Sequence, residues 1–78
     1  MSLYPRLQSI ANQLRALRVK AGLVQLDVAN HMGLGRTSVT NIEAGNQKLL
    51  LEHLFMYADA CGYDVEIKFK RTRNGTPR

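Results

Sequence analysis

Residues 22–45 read GLVQLDVANHMGLGRTSVTNIEAG, and this stretch decides the fold. Val28, Ala29 and Met32 recur at helical spacing, as do Val39 and Ile42, so each half presents one apolar side to bury. Gly33 falls just past the last periodic residue of the first half, where a left-handed backbone closes a helix at no steric cost only for glycine. A second helix then starts almost at once, with Gly35 as its N-cap. The spacing predicts helices over Gln25 to Met32 and Arg36 to Ala44, the second ending at Gly45. Its outer side carries Arg36, Thr37, Thr40 and Asn41, a row of hydrogen-bonding side chains with no apolar member.

Further elements follow outward from this pair. Leu7, Ile10, Leu14 and Leu17 share one face of a helix over Arg6 to Lys20, with Pro5 at a tolerated first-turn position and Gly22 as its stop. Asn46, Gln47 and Lys48 form a polar loop. A fourth helix is expected over Leu51 to Cys61, with Leu51, Leu54, Phe55 and Ala58 facing the core and Gly62 ending it. After Gly62 the period changes to two: Tyr63, Val65, Ile67 and Phe69 fall on one side of a strand, charged residues on the other.

The LRALRVKAGLVQ entry, the VANHMG turn, the TSVTNIEAG segment and LEHLFMYADACG together resemble the Cro and phage-repressor type of helix-turn-helix domain, the Xre family, over roughly residues 7–62. Arg18, Gly22, Leu23, Gln25, Ala29, Gly33, Ile42, Glu43 and Gly45 are typical of it as they stand. The resemblance implies a DNA-binding transcriptional regulator whose second motif helix enters the major groove. It implies base contacts at Thr37 and Asn41, a phosphate-clamping glutamine at Gln25, and a salt bridge between Arg18 and Glu43. Arg18 then serves either as a brace alone or as a brace that also meets phosphate. Relatives usually carry Thr, Ser or Asn where this chain has Val24, so the side-chain cap of the first motif helix is missing. Leu23 against Val28 as a hydrophobic staple, and Asp27 in the first turn, are expected to compensate.

Chemistry extends that assignment. Arg36 sits in the first turn of the recognition helix, and its planar fork matches guanine O6 and N7 together. A cation there also opposes the helix dipole, a local conflict of the kind found at functional sites. Thr40 continues the base-reading surface. Asn46, Gln47 and Lys48 are expected to meet phosphate beyond the helix, and Ser38 is divided between phosphate and helix packing.

A chain of 78 residues with 45% hydrophobic content builds one small core, burying only about 60% of its unfolded surface, so dimerisation would help it. Eleven Lys and Arg against six acids give a net charge of +5, which suits a polyanionic partner. The strand at 63–70 has no second strand candidate within the chain, and the cheapest partner is the same strand of another copy across a two-fold axis. Tyr63, Val65, Ile67 and Phe69 are therefore assigned to a dimer interface. The expected organisation is a mainly α, four-helix domain over 1–62, a dimerising strand over 63–70 and a basic flexible tail over 71–78.

Other classes of function find little support in the residues. Cys61 is the single cysteine and sits at helical spacing among apolar neighbours, which suits burial in a reducing cytoplasm. His31 and His53 fall on different helices with no metal-ligand spacing, and no nucleophile, base and acid constellation occurs. No metal, cofactor, catalytic centre, membrane span or small-molecule ligand is expected. The competing class is an antitoxin that holds a toxin partner and binds DNA to regulate its own synthesis.

Overall fold

The computed structural model describes residues 4–45 and 48–72. Among the described residues four helices follow one another: α1 (Tyr4–Lys20), α2 (Gln25–Met32), α3 (Arg36–Ala44) and α4 (Leu51–Ala60). α1 begins two residues earlier than its apolar spacing implied, with Pro5 inside the first turn, where a missing N–H costs nothing. None of the described residues forms a strand.

α2 packs against both α3 and α4, and α1 closes the other side by packing against α3 and α4. The core at their junction consists of Leu14, Val28, Ala29, Met32, Val39, Ile42, Tyr57 and Cys61. Leu23 packs on its edge, as a staple residue ahead of α2 should.

α2 stops as its sequence dictates. Gly33 has φ +70°, its N–H donates to Asn30 and the N–H of Leu34 reaches back to Ala29, so two end carbonyls are satisfied within one turn. The short connection brings α3 in immediately. Gly45 closes α3 under a second constraint besides its φ of +69°: a Cβ there would lie 2.9 Å from Gln8 Cα and 3.0 Å from Ala11 Cβ. α3 thus ends directly against the backbone of α1.

Two expectations for α4 are corrected. The helix ends at Ala60, with Cys61 as its cap rather than its last residue. Leu51 and Phe55, expected inside, are 59% and 43% exposed. The inward stripe is instead Leu54, Tyr57, Ala58 and Cys61, because α4 is rolled to place the Tyr57 ring in the core and its hydroxyl on a buried acceptor. No helix among the described residues is long and apolar enough to cross a membrane.

Candidate nucleic-acid interface

The placement of α3 follows from what it buries. Val39 and Ile42 enter the core, and Glu43 follows them on the same side. That rotation leaves Arg36, Thr37 and Thr40 exposed and Ser38 and Asn41 half-buried along the outer side. The side chains of Arg36 and Thr37 make no hydrogen bond or ion pair among the described residues, and the Gly35 cap offers none to the helix end. Arg36, an exposed residue, stands at the positive end of the helix dipole.

Behind this surface lies a buried polar cluster centred on Glu43, whose side chain is only 5% exposed. Arg18 of α1 grips the carboxylate with two parallel N–H bonds from one edge of its guanidinium, Nε to Oε2 at 2.8 Å and Nη2 to Oε1 at 3.1 Å. Its remaining Nη1 donates to the Leu23 carbonyl at 2.9 Å, tying in the turn before α2. Tyr57 of α4 donates its hydroxyl to Oε2, and Gln25 of α2 donates its amide to Oε1 at 3.2 Å. One carboxylate therefore joins all four helices.

The electrostatics are consistent with a charged, satisfied centre. Burial by itself would raise the Glu43 carboxyl, but hydrogen bonds from Arg18, Tyr57 and Gln25 outweigh it and hold the group below its ordinary value. Arg18 is pushed up, chiefly by its hydrogen bond to Glu43. Burial, reinforced by the bond to Glu43, pushes the Tyr57 hydroxyl well above the tyrosine range. Cys61 is raised as well, by burial. No buried side-chain N or O atom among the described residues lacks a hydrogen-bond partner.

Gln25 connects this cluster to the outer surface. Its Oε1 accepts from the Thr40 hydroxyl at 3.0 Å while its Nε2 donates to Glu43, so the two neighbours fix which way the amide points. The reversed amide would set an oxygen against the carboxylate. Thr40 also bonds the Arg36 carbonyl at 3.1 Å, one turn back along α3.

The sequence-predicted residues therefore separate into groups. Arg36, Thr37, Thr40 and Asn41 share the outer side of α3, with Gln25 adjoining through Thr40. Lys48 is exposed in the segment leading to α4, whereas Asn46 and Gln47 lie outside the described residues. Arg18 is turned inward with an 11% exposed side chain and acts as a brace, and Arg15, 65% exposed, stands 3.9 Å from the same carboxylate. Tyr63, Val65, Ile67 and Phe69 fall in the segment after α4, which passes over a groove between α1 and α4 lined by Ile10, Leu17, Leu54 and Ala58. Residues 73–78 of the basic tail lie outside the described residues.

Tyr57 is the member of the cluster that sequence reasoning missed as a polar contact. Half of the signal was available: Glu43 lies four residues after Val39 on the buried stripe of α3 and so needs donors, but the apolar spacing of α4 fits Leu51 and Phe55 as well as Tyr57 and does not name the donor.

Residues 14–68 match the family model described as Helix-turn-helix, a span that covers α2, α3 and α4 in full and most of the chain. No curated protein and no solved structure matches the chain.

Proposed function

We propose, for a chain that belongs to the Xre/Cro-type helix-turn-helix family of DNA-binding transcription regulators, that it acts as a repressor, binding a near-palindromic operator as a homodimer. The observation that carries this reading is the contrast across α3. Its inner side is clamped through Glu43 to three other helices, while Arg36 and Thr37 on its outer side have no partner among the described residues.

Roles follow from chemistry and exposure. Arg36 pairs with guanine O6 and N7, Asn41 with adenine, and Thr37 meets a thymine methyl. Thr40 has its hydroxyl hydrogen committed to acceptors within the protein, so it offers DNA its methyl group and a lone pair. Gln25 spends one amide N–H on Glu43 and keeps the other for phosphate beside the free N–H groups that start α2. Lys48, Ser38, Asn46 and Gln47 complete the phosphate contacts. Arg15 is better exposed for that task than Arg18, whose fork is spent inside.

Repression by steric exclusion of polymerase from a cytoplasmic promoter needs no catalytic step, cofactor or small-molecule ligand. Selection from a random pool of duplex DNA tests the proposal. It should recover a near-palindrome whose half-sites are read one helical turn apart, about 34 Å. Recovery of an asymmetric site would remove the dimer, and no enrichment at all would remove sequence-specific binding. Co-purification with the product of a neighbouring reading frame would instead favour the antitoxin reading.

A further inference from the structure

The segment after α4 leaves the body of the protein as it proceeds. Val65 is half-buried where the segment crosses the groove between α1 and α4, Ile67 is 48% exposed, and Phe69 is 95% exposed. An alternating run that ends with an aromatic ring in water, and whose backbone forms no ladder, is an edge in want of a partner.

The opposite side of the same run specifies the partner. It reads Asp64, Glu66, Lys68, Lys70, two acids followed by two bases, with the sign inverting across Ile67. In an antiparallel pair, directly opposite residues share a face, so two identical strands must be centred on a residue. Centring on Ile67 sets Glu66 opposite the partner's Lys68 and Asp64 opposite the partner's Lys70. On the apolar side, the same register sets Phe69 opposite the partner's Val65. A centre at residue 66 opposes two glutamates, and one at residue 68 opposes two lysines. A centre at residue 65 sets Asp64 against the partner's Glu66, and one at residue 69 sets Lys68 against the partner's Lys70. Of these five registers only the one on Ile67 matches every charge.

We propose that residues 63–70 recognise a second copy of this chain in a single antiparallel register centred on Ile67, fixed by the acid-then-base order of the polar side. The inference rests on the dimer reading above and goes beyond it by naming the register and what selects it. Within a single copy Glu66 and Lys68 pair with each other at 2.9 Å, both side chains well exposed, which leaves them available to close a four-charge cluster with the same residues of the second strand.

Heterodimer selection tests this register. Glu66→Lys and Lys68→Glu, prepared separately, each oppose like charges twice in a homodimer and should dimerise roughly tenfold more weakly than the wild type. Mixed in equal amounts, they should form a heterodimer of near wild-type strength, followed by sedimentation and native mass spectrometry. A pair that mattered only within one chain would show no preference for the mixture. If the variants dimerise like the wild type, or the mixture stays weak, the register is overturned and the dimer stands. If the wild type is monomeric throughout, or Ile67→Asp dimerises undiminished, the pairing strand itself is overturned. Thermal melts of each variant confirm that these exposed substitutions leave the helical domain folded.

Discussion

The two ends of α3 are built on opposite plans. At the amino end a glycine cap without a side-chain bond leads to Arg36 and Thr37, both exposed. At the carboxyl end, Glu43 receives hydrogen bonds from α1, α2 and α4, and Gly45 abuts α1 too closely to accommodate a Cβ. The difference teaches how so small a domain can present a reading surface. The backbone is fixed from behind, and the side chains of Arg36 and Thr37 are left uncommitted, so ordering these two on DNA costs only their own rotamer freedom.

The comparison breaks most severely if its anchor is cut. Arg18→Ala leaves a carboxylate buried with its main cation gone, and should cost about 3–5 kcal/mol in urea unfolding. A loss under about 1 kcal/mol would reduce the cluster to an ordinary surface pair. Gly45→Ala attacks the same end by geometry, combining a left-handed φ with contact on Gln8 and Ala11; about 2–4 kcal/mol is expected in the same assay.

Titration sharpens the comparison. Because Glu43 is held below its ordinary value of 4.5, the unfolded chain binds the extra proton first as pH falls. The stability it contributes is complete above that value and is lost progressively below it. Tyr57 has the opposite sign: its hydroxyl is raised, so its contribution is complete below 10.0 and is lost as pH climbs beyond. Glu43→Gln should flatten the acid limb of the stability profile relative to the wild type, and Tyr57→Phe the alkaline limb. Profiles parallel to the wild type would mean that the cluster is not the source.

The smallest effect lies at the start of α2, beside the anchored end. Asp27 accepts from the Val24 N–H at 2.9 Å, which is one half of a capping box, and valine has no oxygen to supply the other half. Val24→Thr should raise stability by about 0.5–1 kcal/mol, seen as a higher melting temperature. An unchanged or lower one would place the helix start elsewhere.

Much of this was legible in the residues because the determinants are local. Gly33 and Gly45 mark the ends of α2 and α3, and the spacing of Val28, Ala29, Met32, Val39 and Ile42 marks which sides are buried. The outward row from Arg36 to Asn41 then follows from the helical period alone. The Arg18 to Glu43 brace was implied by resemblance, since nothing in a spacing of 25 residues predicts that two side chains meet. The roll of α4 escaped for the same reason. Leu51 and Phe55 fit an apolar stripe as well as Tyr57 does, and only the buried acceptor on α3 decides between them.

The central claim is that the free end of α3 reads bases. Affinities of wild type and Arg36→Ala for the selected operator, and for an unrelated duplex of equal length at the same salt, measure it directly. The account predicts a loss of about 5- to 150-fold on the operator, with preference relaxed at one base pair per half-site and little change on the unrelated duplex. An equal loss on both duplexes would make Arg36 a phosphate contact. No loss on either would contradict the claim.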